Sequence, residues 1–319
     1  MSDSESRDPE SRDAQSRAPR IRPLSERANK VTVADFAKVP GRVPGFGDWF
    51  ESLPDILGAK QLKELVSHWK RVKRDGGLVG IAMGAHVLKV GLQPLLIDLM
   101  RRGYIQHLAT NGAGAIHDYE FALQGASSED VGANLADGSF GFWQETFDGL
   151  NGIAKDAARD GLGYGAAVGR RIREAELEHR ELSIFGTAWE LQIPMTVHVA
   201  FGCDIVHMDP RLDGGALGQA TLQDFRVFCD SVQKLERGLW INLGSAVLMP
   251  EVFLKAVSLA RNVGALTDDF VTANLDMLTH YRSMENVVRR PPKRGLHVIG
   301  HHEILLPILH QALIADDDS

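Results

Sequence analysis

LVGIAMGAHVLKVGLQPLLIDLMRRGYIQHLATNGAGAIHD, residues 78–118, decides the fold. It opens on LVGIAMG (78–84), a short unbroken apolar run of the kind a strand buried on both faces requires. A helix is predicted over 86–102, ending in Arg101-Arg102-Gly103, because basic groups and glycine belong at a helix carboxyl end. A second strand is predicted over 104–109, before a glycine-rich turn. Strand, crossover helix and strand make a βαβ unit, whose two strands run parallel. Upstream, Leu57, Leu62, Leu65, Val66 and Trp69 recur at helical spacing within 53–75. Downstream, helices are predicted over 149–179, 183–191, 221–236, 250–263 and 302–314, with strands over 193–201, 239–245, 269–275 and 296–300. This alternation predicts an α/β fold: a Rossmann-like, doubly wound, mainly parallel sheet with helices on both faces.

In such a sheet, ligands bind beyond the carboxyl ends of the strands. Those ends read MGAHVLKVG (83–91), ATNGAGAIHD (109–118), FGCDIVHMD (201–209), NLGSAV (242–247), TANLD (272–276) and IGHHE (299–303). Glycine lets backbone approach a phosphate, and each following helix offers free N–H groups, so the set favours a nucleotide. The plainer reading of any single loop is a tight turn. There is no full GxGxxG followed by an acidic residue some twenty positions on, so the usual dehydrogenase fingerprint is missing. His198, Asp204, His207, His301, His302 and Glu303 raise a metal reading, but their spacing matches no metal motif; hydrogen bonding or proton transfer is the expectation. Phe140, Phe142, Trp143 and Phe147 form an aromatic group, read as core or subunit contact before pocket lining.

Composition narrows the classes. With 44% apolar and 24% charged residues over 319, the chain is globular in type, and a net charge of −7 does not suit a nucleic-acid partner. No unbroken apolar stretch is long enough to span a membrane; the best candidate, 78–100, is interrupted by His86, Lys89, Gln93 and Asp98. Two cysteines without CxxC spacing, and no secretory signal, fit a reducing, cytoplasmic setting. Residues 1–30, rich in Ser, Asp, Glu, Arg and Pro, read as a disordered tail, and 31–315 as a single domain. The acidic end ADDDS reads as solvated.

Two groups of segments carry a family resemblance. One is GAHVLKVGLQPLLIDLMRRGYIQHLATNGAGAIHDYE (84–120). The other runs through SIFGTAWELQIPMTVHVAFGCDIV (183–206) and GLWINLGSAVLMPEVFLKAVSLARNVGALTDDFVTAN (238–274) to HVIGHHEILLPIL (297–309). In order and spacing they resemble deoxyhypusine synthase, the NAD-dependent enzyme that moves an aminobutyl group from spermidine to a protein lysine. The resemblance implies a Rossmann-like NAD-binding domain in a homotetramer with active sites at subunit interfaces. It also implies a polyamine or related amine as substrate and a protein lysine as acceptor. Its cofactor loops fall on Ala85, His86 and Gly91; on Thr110, Asn111 and Gly112; on Thr272 and Ala273; and on Gly300 and His301. Its substrate-side aspartate falls on Asp204 and its acidic pair near His117 and Asp118; in the amine reading Asp118, Asp204 and Glu251 hold the cationic substrate, and His117 or His207 shuttles the proton. The family's imine-forming lysine falls on Asn286, whose amide forms no imine; Lys293 and Lys89 are the nearby amines. The readings kept open are amine chemistry through an imine, the same cofactor pocket with another substrate, and a non-catalytic oligomeric NAD-binding protein.

Overall fold

The computed structural model describes residues 18–317. Eight strands are formed: β1 (Asn29–Thr32), β2 (Val79–Met83), β3 (His107–Asn111), β4 (Ala126–Glu129), β5 (Met195–His198), β6 (Leu239–Leu243), β7 (Val271–Asp276) and β8 (Arg294–Ile299). Six of them make one sheet in the order β5-β3-β2-β6-β7-β8, with every pair parallel. The chain builds outward from β2 to β5, then returns and builds the other half from β6 to β8. This is the Rossmann-like order, and it reverses between β2 and β6.

The LVGIAMG run is buried at every position of β2, with Ile81 in register with Ile241 of β6. Val79, Ile81 and Met83 face a core made with Leu57–Arg74, Gln93–Arg101 and His302–Ile314. Ala82 and Trp240 face a second core against Phe228 and Phe253, on helices Gly214–Val232 and Leu248–Asn262. Helices therefore cover both faces, as the alternation predicted.

Several boundaries differ from expectation for local reasons. The helix expected over 86–102 is two, His86–Lys89 and Gln93–Arg101. The break comes at Gly91, whose φ of 74° is left-handed. A Cβ there would lie 2.9 Å from the Cα of Phe36. Gly91 thus makes a turn and a close backbone contact with Phe36. The second strand starts at His107 rather than 104, because Tyr104 turns away and its hydroxyl donates to Leu313 O at 2.7 Å. The 149–179 helix is split at Gly161 into Gln144–Asp160 and Tyr164–Glu174.

Both flanks of the described residues are more engaged than expected. The part of the predicted tail that falls on 1–17 lies outside the described residues. From Leu24 onward the segment is docked: Leu24 is buried, β1 pairs antiparallel with β4, and the Arg27 guanidinium forms a buried ion pair with Glu120 at 2.7 Å. Toward the other end Asp317 pairs with Lys73 and Arg102 and is largely covered, while Asp316, paired with Lys70, stays exposed as expected; 318–319 lie outside the described residues. No helix among the described residues is long and apolar enough to cross a membrane.

One buried carboxyl holds the β5 edge together. A single oxygen of Asp224 accepts N–H bonds from Gly165 and Val197, both at 2.9 Å. Burial pushes its pKa up to about 8, so it is mostly protonated at neutral pH. Asp224→Asn keeps that acceptor and removes the cost of holding a proton that the unfolded chain loses near pH 4, so a gain of ~1–4 kcal/mol is expected at pH 7 and little change at pH 4; Asp224→Ala strands two N–H groups and should be ~2–4 kcal/mol less stable than the Asn variant. Urea denaturation of the two variants checks the contrast.

Candidate functional site

The strand order reverses between β2 and β6, the place where a doubly wound sheet takes a ligand beyond its carboxyl ends. Gly84 and Gly244 pack against each other there: Gly84 N–H donates to Leu243 O at 3.0 Å, and a Cβ on Gly84 would collide with the Gly244 carbonyl. Gly244 has φ 70°, and the His302 ring lies directly against it. His302 Nε2 faces Leu275 O at 3.3 Å, so the ring carries its proton there. Its Nδ1 is then an acceptor, buried and without a partner. The His86 ring is 5.8 Å from that of His302. Burial lowers the pKa of His86, and the neighbouring His302 adds to the effect. Of the expected cofactor residues, Ala85, His86, Gly300 and His301 are on the loops that meet here, since they cap the helices after β2 and β8.

Thr272 and Ala273 are not at this rim. They lie mid-strand in β7, opposite Trp240 and Ile241, and the Thr272 hydroxyl donates to Val287 O at 2.6 Å. The rim of β7 is made instead by Leu275 and Asp276, because β7 runs on to 276. Thr110, Asn111 and Gly112 are at the end of β3, but protein side chains occupy their helix N-terminus. Asn111 Oδ1 accepts from Gly114 N–H at 3.0 Å, and the Asp204 carboxylate lies against Gly112 and accepts from Ala113 N–H. Thr110 is fully buried against Gly114. This loop therefore seats Asp204 where a cofactor phosphate was expected.

Beside Asp204 is a cavity of about 220 Å³, into which His117, Lys89, Glu129 and Phe140 also project. Two histidines near it are held in opposite tautomers. The Ser127 hydroxyl donates to the Glu120 carboxylate at 2.7 Å, so toward His117 Nδ1, also at 2.7 Å, its oxygen must accept. His117 thus keeps its proton on Nδ1 and has a free lone pair on Nε2. Burial pushes its pKa down to about 4, leaving it neutral at pH 7. His207 Nδ1 accepts from the N–H groups of Gly202 and Asp204, at 3.1 and 3.2 Å. Its proton is therefore on Nε2, which is buried, lacks a hydrogen-bond partner and lies 3.8 Å from Asp204 Oδ2. Burial pushes the Asp204 pKa up to about 6. The arrangement can take a proton at His117, offer one at His207 and hold a cation at Asp204.

Three expected catalytic residues are elsewhere. Asp118 is wholly buried and caps helix Ile184–Glu190, accepting from the Ser183 hydroxyl and from Ile184 N–H at 3.0 Å. It points away from His117 because neighbouring positions on a helix face different sides. Lys293 precedes β8, at the amino end of the sheet, where it faces Asp269 at 3.4 Å; the two prolines carry the chain to that opposite edge. Glu251 is at the start of helix Leu248–Asn262, but Lys255, Arg282 and the Asn286 amide take up its charge. Asn286 itself is buried in a π-helical turn, Met284–Arg289.

Sequence reading missed Arg27, Ser127, Ser128 and Glu129. Ser128 has φ 70°, a left-handed strain for a non-glycine residue at the cavity wall. Glu129 takes bonds from Asn134 at 2.7 Å and Gly141 N–H at 3.1 Å, all from neutral donors. Polar strands such as ASSE (126–129) leave no periodic apolar signal to find. Phe140 lines the cavity, while Trp143 and Phe147 are core. His198 bonds Thr196, which also bonds His107, and burial drives both rings far below their ordinary pKa, to about 3. Among the described residues no group of three or more His, Cys, Asp or Glu is placed to hold a metal.

A doubly wound parallel sheet, reversing its order between β2 and β6 and covered by helices on both faces, defines a Rossmann-like α/β protein. No protein-family model matches the chain. An ornithine cyclodeaminase of Methanothermobacter thermautotrophicus is 31% identical over 130 residues, which is 38% of this chain and 30% of the relative's length. The solved structure of AgrE with ornithine and NAD+ has a TM-score of 0.53 at 14% identity, covering 79% of this chain and 32% of AgrE. A conserved LOR/SDH protein from Methanococcus maripaludis has a TM-score of 0.52 at 17% identity, covering 81% of this chain and 70% of that one. A candidate deoxyhypusine synthase from Entamoeba histolytica has a TM-score of 0.53 at 9% identity, covering 81% and 89%. The three solved structures share the fold; at such identities they show nothing finer, and deoxyhypusine synthase is not singled out among them.

Proposed function

We propose that the protein is an NAD-dependent enzyme that oxidises a C–N carbon of a small amine, with NAD at the β2–β6 reversal and the amine in the cavity beside Asp204. The observation that carries this is the pairing of two features. Close-packed glycines, Gly84 and Gly244, mark the strand-order reversal, and a cavity elsewhere at the carboxyl side holds two buried carboxylates, Asp204 and Glu129, that pair with no cation among the described residues. The orphaned Nδ1 of His302 supports the fit, since a ribose hydroxyl is a donor of the kind it needs. Gly84, Gly244 and the first N–H groups of helix His302–Ile314 would hold the phosphates. When bound, NAD supplies a two-electron acceptor. Asp204 and Glu129 would hold the ammonium. His117 Nε2 would take the proton that the nitrogen loses, and the Glu120–Ser127 chain fixes the tautomer that lets it do so. His207 Nε2–H would steady the Asp204 carboxylate. Structures and relatives named for ornithine and NAD support a small amine as the substrate class.

Aminobutyl transfer to a protein lysine is the finer reading the family resemblance carries. It needs a lysine amine at the Asn286 position, and Asn286 is bonded at both ends, to Glu251 and Arg290. Oxidation of the amine is therefore the step proposed. Exposed Val247, Leu278, Tyr281, Ile299 and Ile304 ring the carboxyl edge of the sheet, and a second copy of the chain covering them fits the expected homo-oligomer. Incubating the protein with NAD and a panel of amines, while following the absorbance of the reduced cofactor, tests the function. Amine-dependent reduction is expected; none with any amine would count against it.

A further inference from the structure

Resting on that reading of the cavity, we infer that its substrate bears a carboxylate as well as amines: a small diamino acid, with Lys89 and Glu129 as specificity residues. The argument is a charge count. Four ionised side chains other than Asp204 reach the cavity: Arg27, Glu120, Lys89 and Glu129. Arg27 and Glu120 cancel, since both guanidinium nitrogens are bonded to both carboxylate oxygens at 2.7 and 2.8 Å, with under 3% of either side chain exposed. Asp204 and Glu129 are nearly buried, and each is held only by neutral donors plus, for Asp204, the His207 ring. Lys89 is half-buried, and among the described residues no carboxylate lies within ion-pairing distance of its ammonium. The cavity therefore presents two unpaired anions and one unpaired cation.

A diamine would satisfy the anions but bring a further positive charge up to Lys89. A diamino acid has two ammonium groups and one carboxylate, one for each unpaired charge. Buried charges without partners are costly, so this match governs which ligand stays. The position of Lys89 strengthens the assignment. It comes from the short helix His86–Lys89 and lies close enough to act electrostatically on both His86, at the β2–β6 reversal, and His117, in the cavity. A carboxylate held there would fix one end of the substrate at the mouth between the two, leaving the carbon chain to run past Phe140 and Ile116. At about 220 Å³ the cavity also falls below the ~300 Å³ lower end of drug-sized sites, which suits a compact amino acid better than an extended polyamine.

The test is a matched series by calorimetry: 2,4-diaminobutyrate, ornithine and lysine, each against the diamine left when its carboxylate is removed, with and without NAD. The best diamino acid is expected to bind at least ~10-fold more tightly than its diamine. Lys89→Met should erase that ratio while leaving diamine binding equal or stronger, which also shows the cavity intact. Glu129→Gln should weaken diamino acids and diamines together. Diamines binding as tightly as their amino acids, or a ratio that survives Lys89→Met, would overturn the inference while leaving an amine site in place. Failure of every amine and amino acid to bind would overturn the amine reading itself.

Discussion

Asp204→Asn is expected to make the protein more stable above pH 7 and to remove its amine-dependent turnover. The carboxyl lies against Gly112, on the N–H of Ala113, and its pKa is raised by burial from 3.8 to about 6. In the unfolded chain it ionises near pH 4. Between pH 4 and 6 the folded protein therefore holds the extra proton, and stability falls as pH rises through that window. Above it, the folded state bears the full penalty of a buried carboxylate. Asparagine keeps the acceptor for Ala113 without the charge, so a gain of ~1–3 kcal/mol at pH 8 is expected, and little change at pH 4. Function should respond oppositely. The ionised carboxylate holds the ammonium, so amine affinity in the native protein should rise as pH passes about 6. In Asp204→Asn that rise should vanish and turnover fall by ~10²–10⁴-fold. Urea melts at pH 4 and 8, with turnover at each, check both halves. A variant that is less stable at pH 8, or that keeps its turnover, would contradict the assigned role.

The second large effect concerns Arg27, in a stretch whose composition reads as tail. Its guanidinium is bidentate to Glu120, which also takes bonds from Ser127 and Thr146, all buried. Arg27→Met leaves Glu120 ionised, buried and unpaired, and is expected to cost ~3–5 kcal/mol. Adding Glu120→Gln removes the stranded charge and should recover at least half of the loss. A loss below ~1 kcal/mol in the single variant, or no recovery in the double one, would show that the pair does not anchor the N-terminal segment. Because Glu120 sets the Ser127 hydroxyl, and Ser127 the His117 tautomer, the double variant should regain stability without regaining full turnover.

How much of this was legible follows from what each feature leaves in a sequence. LVGIAMG, LWINL and the helix over 302–314 were readable because apolar runs and helical spacing survive any context. The doubly wound class followed from their alternation. Strand order did not, since pairing is settled by packing between distant segments. At the site, Asp204, His117 and His207 stood out as polar groups where apolar runs stop, and the structure brings His117 and Asp204 to one cavity, with His207 packed against Asp204. Asp118 shares the sequence neighbourhood of His117 but faces a buried cap, and Lys293 lies on the far edge of the sheet. Position along a chain does not say which way a side chain faces. Arg27 and Glu129 were invisible for another reason: Arg27 matters through Glu120, 93 residues away, and Glu129 through the cavity it lines, and a lone charge in a polar stretch carries no periodic mark.

NAD at the reversal between β2 and β6 is the claim on which the rest depends. Crystals of the full chain soaked with NAD test it most directly. The account predicts a dinucleotide across Gly84 and Gly244, a donor from it on His302 Nδ1, and the nicotinamide facing the cavity that holds Asp204 and His117. NAD bound elsewhere, or no NAD at this place at saturating cofactor, would contradict it.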